Sequence, residues 1–321
     1  MNFELAVMPY RSIRSRIVLR RRLIGAALCL ALVAPYGIAR HTTRTRPMSV
    51  RVLDDVATTV GLRYYDRVYN GVPWHRRVEL YRAQSFDTAT EADRYSLLRR
   101  MLAPLKDSHT VIYSPAQLRR LAEQPPDDAL TWKIAAPRVA YLHIRGFPDR
   151  FDLVLRSAFG DLGSAPMMIL DLRHNGGGTV DTVDAVAGIF LPAGTLVATG
   201  TRRYHYRWFG SSIFRATDEA GVSYGGKLVV LTDPTTQSGA ETLARALQFY
   251  HRGLIVGTRT AGKVLGVDVQ ERLPDGGLLR VATLDMRAAD GARLEGGGVQ
   301  PDVVVADPRA QVRTAVNLLK R

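Results

Sequence analysis

Apolar residues at Val52, Val56, Val60, Tyr64 and Val68 recur every four positions, and Tyr95, Leu98, Met101, Leu102 and Leu105 repeat the pattern further on. A spacing of three to four residues lines one face of an α-helix. Residues 49–122 therefore read as a small N-terminal helical domain with a turn at Pro73 and Trp74. The polar, Pro-containing run from Glu123 breaks the periodicity and predicts a linker over 123–133. From residue 134 the texture changes. Apolar runs at 139–144, 166–172, 228–232 and 254–257 have the length of buried strands, and helical patterns at 149–160, 179–190 and 239–250 lie between them. Strands alternating with helices predict an α/β domain over 134–306 with a partly parallel sheet, and a last helix in 307–321.

The start of the chain follows another pattern. Six arginines between Arg11 and Arg22 precede an apolar run from Leu23 to Ala34, then Pro35, Tyr36 and the small residues Gly37 and Ala39. That order predicts a signal peptide over 1–39, followed by a polar lead-in over 40–48. The apolar run is shorter than the ~20 residues of a spanning helix. Export to the periplasm or cell envelope is expected, an uncleaved membrane anchor being the alternative. Cys29, the only cysteine, lies inside this segment, so the mature chain offers no thiolate nucleophile, no Cys-ligated zinc and no disulfide.

Charge adds a second constraint. The net charge is +14 over 321 residues. A surplus of that size attracts polyanions such as an anionic envelope surface without selecting one. The stretch Arg202 to Phe209 interleaves basic and aromatic residues, but an amphipathic strand accounts for it and no binding motif surrounds it. No nucleic-acid partner is expected. The seven histidines show no H-x-x-x-H pair, so no metal site is expected either.

Three segments could carry chemistry. In the first, the strand Met168 to Leu172 runs through Arg173, His174 and Asn175 into Gly176, Gly177 and Gly178, and a helix follows. Glycines at such a junction let backbone N–H groups face an anion or oxyanion. The spacing does not fit G-x-G-x-x-G, because Asp181 stands where the third glycine belongs. In the second, Ser238 opens a helix after the strand Lys227 to Leu231, with Glu241 three residues on. That pair fits a capping box, and it also displays a hydroxyl beside free N–H donors. It is not a lipase-type elbow, since Thr236 replaces the first glycine of G-x-S-x-G. In the third, Gly257 to Lys263 nearly matches a phosphate-binding loop, but Val264 cannot supply the magnesium-binding hydroxyl, so no nucleotide site is expected.

Together these segments resemble the carboxyl-terminal processing (tail-specific) proteases, a family that includes the tricorn protease core. The likeness rests on motifs in order: Asp107-Ser108-His109-Thr110, the strand Val139 to Ile144, Asp171 to Gly178, Ser238-Gly239-Ala240-Glu241, Gly257 to Lys263, and Glu295 to Asp302. The resemblance implies a crotonase-like α/β fold. It makes Ser238 the nucleophile of an acyl-enzyme mechanism, and the N–H groups of Gly239 and of Gly177 or Gly178 the oxyanion hole. Lys263 aligns with the family's general base. The tricorn branch uses a different set, which Ser108, His109, Ser238 and Glu295 match.

Two departures stand out. Only about twenty residues separate Tyr113 from Ile134, too few for the PDZ domain usual in this family. Val267 replaces the glutamine expected after the lysine. The resulting expectation is an exported serine peptidase acting on peptides or proteins without a cofactor, with Lys263 as base and His109 as the alternative. The rival is a non-catalytic member that binds peptides or apolar ligands in the same cleft.

Overall fold

The computed structural model describes residues 46–123, 129–162, 165–204 and 208–321. The expected leader 1–39, most of the lead-in, part of the linker and the centre of the basic–aromatic stretch lie outside the described residues.

Among the described residues three helices come first, α1 (Met48–Arg63), α2 (Trp74–Ser85) and α3 (Glu91–Leu102). The four-residue apolar stripe of α1 is fully buried at Val52, Val56 and Val60. Pro73 flanks α2, as the predicted turn requires, and a capping box between Thr90 and Asp93 starts α3. The short strand β1 (Val111–Tyr113) and helix α4 (Pro115–Ala122) follow.

The remaining elements are β2 (Leu130–Ala136), β3 (Val139–Ile144), α5 (Asp152–Leu162), β4 (Met167–Asp171) and α6 (Val180–Phe190). Then come β5 (Leu196–Tyr204), β6 (Trp208–Arg215), β7 (Lys227–Thr232), α7 (Gly239–Phe249) and β8 (Leu254–Gly257). The chain finishes with β9 (Val269–Arg272), β10 (Leu278–Val281), β11 (Leu284–Ala288), β12 (Val303–Val304) and α8 (Pro308–Leu319).

The central sheet has the order β12-β8-β7-β4-β3-β2, parallel throughout except for the antiparallel edge strand β2. Its central strands are apolar on both faces because both are covered. Met168, Leu170 and Val230 join the core formed with α5, α6 and α7, whereas Ile169, Val229 and Leu231 pack beneath α8. The α/β class expected from the alternating texture is the one observed.

Two local expectations are corrected. The linker expected over 123–133 contains β2 from Leu130 onward, and β2 pairs with β3 from Leu130↔Ile144 to Ala136↔Val139. Only Leu130 in β2 is fully buried, and a half-exposed edge strand gives too short an apolar alternation to stand out. The helical segment also does not close its core alone. Leu265, Leu273, Leu279 and Val281, more than 150 residues downstream of that segment's centre on the order of the chain, complete the cluster around Val56, Tyr95 and Met101. Strand β1 accordingly pairs with β10.

That cross-over positions the site. Strands β3, β4, β7 and β8 run parallel, so the loops after them gather at one edge of the sheet, where α/β proteins bind ligands. The β1–β10 pairing brings the Ser108-His109 segment to the same neighbourhood as Lys263 to Leu265.

Candidate active site

The loop leaving β7 is organised by Asp233. Its Oδ1 accepts from the N–H groups of Thr235 and Thr236, both at 2.9 Å, and from the Thr235 hydroxyl at 2.8 Å. Burial works against the charged form, but these donors hold the Asp233 carboxyl below the usual range. Thr236 Oγ1 donates to the Leu172 carbonyl at 2.8 Å and Gln237 N–H to the Asn175 carbonyl at 3.0 Å. The loops after β4 and β7 are thereby tied together.

Ser238 ends that loop with φ 58° and ψ −128°, and α7 begins at Gly239. A non-glycine residue there is strained by roughly 1–3 kcal/mol. The glutamate half of the expected capping box is present, Glu241 Oε2 accepting from Ser238 N–H at 3.2 Å. The φ value departs from the extended backbone of an ordinary N-cap.

Glu241 is fully buried and does more than cap. Its Oε1 accepts from Thr260 Oγ1 at 2.5 Å and Gly262 N–H at 2.8 Å, and its Oε2 from Lys263 N–H at 2.8 Å. Burial raises its pKa while these bonds pull the other way. The sequence gives Glu241 a capping role and a place in the Ser238–Glu241 motif. Its buried tie to the Thr260–Lys263 turn had no local signal.

The glycine strip meets Ser238 at close range. Gly177 has φ 87°, and a Cβ on it would lie 2.6 Å from the Ser238 Cβ. Among the expected donors, Gly177 N–H is engaged by Asn175 Oδ1 at 2.7 Å. The N–H groups of Gly178 and Gly239 have no acceptor among the described residues. Asn175 is fully buried and its Nδ2 donates to the Ile144 carbonyl at 2.9 Å. Its place in the motif with the glycines is the one sequence signal for this role.

A second hydrogen-bonded group comes from the helical side. Ser108 Oγ lies 2.5 Å from His109 Nδ1 and donates to Glu295 Oε2 at 3.0 Å. Glu295 Oε2 also accepts from Val264 N–H at 2.7 Å, which fixes it beside the Lys263 turn. Asp107 Oδ1 shapes the backbone by accepting from His109 and Thr110 N–H at 2.8 and 2.6 Å. Burial lowers the His109 pKa to about 4, reinforced by Arg280 and Lys263 and opposed by Asp107.

Lys263 is joined to Ser238 through its main chain, its carbonyl accepting from Ser238 N–H at 2.7 Å. Its side chain is exposed and has no hydrogen-bond or ion-pair partner among the described residues. Ser238, Lys263, Glu241, Glu295, Ser108 and His109 thus form one connected set, with Gly177, Gly178 and Gly239 beside the serine. Among the described residues no cluster of three or more metal-ligating side chains occurs.

Ser238 thus sits on a strained strand-to-helix turn beside the Gly177–Gly178 strip, and the Ser108–His109–Glu295 set is tied to the neighbouring Lys263 turn through Val264 N–H. The family follows from comparison: residues 138–305 match the model of peptidase family S41, more than half of the chain, and the chain belongs to that family. It is similar to the carboxy-terminal-processing protease of Bartonella bacilliformis, 31% identical over 179 residues, covering 53% of this chain and 39% of the relative. The match therefore spans about two-fifths of that relative's length. Among solved structures, the photosystem II D1 C-terminal processing protease superposes with a TM-score of 0.60 at 19% identity, over 81% of this chain and 94% of that one. The tricorn protease superposes with a TM-score of 0.60 at 16% identity, over 85% of this chain and 36% of that one. At such identities these two likenesses establish the fold.

Proposed function

We propose that this protein is an exported serine peptidase that hydrolyses peptide bonds through an acyl-enzyme on Ser238, with His109 as general base. The observation that carries the choice of base is the Ser108 bridge between His109 Nδ1 and Glu295. A hydroxyl has one proton, and here it goes to the carboxylate. The hydroxyl oxygen then accepts from Nδ1–H, which leaves the lone pair on Nε2. Burial keeps that imidazole neutral at physiological pH, the form a base requires.

In the first step Nε2 takes the Ser238 hydroxyl proton as Oγ adds to the scissile carbonyl. The imidazolium that forms is stabilised through Ser108 by Glu295. The N–H groups of Gly178 and Gly239 receive the oxyanion. The proton then passes to the leaving amine as the C–N bond breaks. Water, deprotonated by the same imidazole, cleaves the ester and restores Ser238. Gly177 supports the hole by giving its own N–H to Asn175, which fixes the strip's backbone.

Lys263 as base is the second reading, favoured by its place beside Ser238 in the main chain. Its exposed side chain is the reason it ranks second, because a lysine base needs desolvation to lose its proton near neutrality. Export rests on the leader pattern of residues 1–39; among the described residues no helix is long and apolar enough to cross a membrane. The deciding experiment is labelling with a serine-reactive fluorophosphonate. Labelling of Ser238 that requires His109 supports the proposal, and a folded protein that neither labels nor cleaves any peptide leaves the non-catalytic rival.

A further inference from the structure

The carboxyl edge of the parallel sheet carries a row of cations that the mechanism does not use. Arg145 follows β3, Arg259 follows β8, and Lys263 ends the turn hydrogen-bonded to Ser238. All three side chains are exposed, and none has a hydrogen-bond or ion-pair partner among the described residues. His174, after β4, is exposed as well; its Nδ1 turns to Asp233 at 3.2 Å and Thr235 at 3.1 Å, leaving Nε2 outward.

Three neighbouring carboxylates are already engaged. Asp233 is held by the Thr235, Thr236 and His174 donors, Glu241 is buried under three N–H groups and a hydroxyl, and Glu295 serves Ser108 and Val264. Asp149 and Asp181 are exposed, and the exposed Arg150 follows Asp149 in the same loop. Among the described residues this edge thus carries Arg145, Arg259 and Lys263 against the exposed carboxylates Asp149 and Asp181, a net positive balance.

The topology sets the scale. Strands β3, β4, β7 and β8 are consecutive neighbours, and adjacent strands lie about 4.8 Å apart, so the row spans roughly 14 Å. An extended peptide advances about 3.3 Å per residue and covers that span in about four residues. Backbone anchors hold the row against the catalytic loops: the Arg145 carbonyl accepts from Gly176 N–H at 3.1 Å, and Ala261 N–H, two residues past Arg259, donates to the Thr236 carbonyl at 2.9 Å.

Resting on the peptidase reading above, we propose that the preferred substrates are acidic peptide segments, with Asp or Glu within about four residues of the scissile bond, facing Arg145, Arg259 and Lys263. Exposed pairs are individually weak, and each should change kcat/KM by about two- to fivefold.

The test uses matched fluorogenic peptides that differ only in flanking Asp/Glu, Asn/Gln or Lys. The expected order of kcat/KM is acidic, then neutral, then basic, with the spread shrinking between about 50 mM and about 500 mM salt. The double variant Arg145→Gln, Arg259→Gln should lose most of the acidic preference while cleaving the neutral peptide within about twofold of the parent. Equal rates for acidic and neutral peptides, or a preference untouched by the double variant, would overturn the proposal. Binding of the same peptides to the Ser238→Ala protein, read by fluorescence anisotropy, separates the two ideas. Charge-selective binding without turnover or phosphonate labelling in the parent defeats the peptidase reading and keeps the acidic-ligand surface. Turnover with charge-blind binding does the reverse.

Discussion

The N–H of Ser238 donates to the carbonyl of Lys263 at 2.7 Å, so the serine and the lysine are joined by their main chains while the lysine residue is exposed. The turn that contains Lys263 is thus part of the scaffold that holds Ser238. Its buried partner Glu241 accepts from both residues' N–H groups, at 3.2 Å for Ser238 and 2.8 Å for Lys263. A residue can be needed at this position for its backbone alone, and substitutions that keep the backbone test what the side chain does.

Lys263→Met keeps the main-chain bonds and removes the ammonium group. With His109 as base, this variant should retain turnover within about tenfold, whereas His109→Ala should lose about 10²–10⁴ in kcat. The acid limb of kcat/KM should lie near pH 4, where His109 becomes protonated. A profile that instead falls away on passing below neutrality, together with an inactive but well-folded Lys263→Met, would return the role to the lysine.

Ser238→Ala should abolish phosphonate labelling and turnover. Alanine would inherit the same φ of 58°, so the strain is unchanged. The melting temperature should therefore stay close to that of the parent. Residual cleavage at a tenth of the parental rate by a homogeneous variant would remove Ser238 from the mechanism.

Ser108 is argued to act through His109, so its variants should affect kcat and leave KM nearly unchanged. Ser108→Ala leaves the Nδ1–H without its acceptor and should reduce kcat by about ten- to a hundredfold, and Ser108→Thr, which restores the hydroxyl, should recover most of it. Glu295→Gln should resemble Ser108→Ala, because an amide no longer stabilises the imidazolium. Failure of threonine to rescue, with an equal loss of thermal stability in all three variants, would point to a packing role for the Ser108–Glu295 contact.

Much of the fold, and the residues that make up the candidate site, are legible in the sequence. Helical and strand periods located α1, α3, β3, β4, β7 and α7, since long buried elements impose a strong pattern. Ser238, Gly178, Ser108, His109 and Glu295 stood out in short motifs. What stayed hidden was set by distance along the chain. The burial of Glu241 depends on Thr260 and Gly262, and the shared core of the helices depends on Leu265 to Val281. The exposure of Lys263 could not be inferred from its Gly-rich surroundings. Edge strands such as β2 and β1, half-buried or very short, give almost no periodic signal.

Gly177→Ala should inactivate without unfolding. The added methyl meets the Ser238 Cβ at 2.6 Å and its Oγ at 3.0 Å, at a position whose φ of 87° already disfavours a side chain. The nucleophile must shift, and catalysis is sensitive to such displacement. Gly178→Ala is harsher, because its Cβ would overlap the Phe147 carbonyl in the adjoining backbone. The expected outcome is a measurable drop in melting temperature for both, larger for Gly178→Ala. An active Gly177→Ala protein would mean that the strip does not border the reacting serine.

Asp184 gives the final prediction. It lies buried on α6, its Oδ1 has no partner among the described residues, and its Oδ2 accepts only from Arg215 N–H at 3.3 Å. Burial raises its pKa to about 7, with Asp181 and Glu219 adding to the effect and the Arg215 N–H opposing it. The folded protein therefore holds a proton that the unfolded chain releases near 3.8. Stability from this group is complete below that value and is lost as pH rises to about 7. His109 has the opposite sign: its pKa is depressed from 6.5 to about 4, so its contribution grows with pH across that interval. The two trends partly cancel in the parent between about pH 4 and 6.5, and a flat stability profile there would conceal both. Asp184→Asn keeps the neutral shape and removes one of them. Its melting temperature should match the parent near pH 4, gain on it steadily to about pH 7, and hold a constant lead above that. A difference that is the same at pH 5 and pH 8 would show that Asp184 stays ionised in the folded protein.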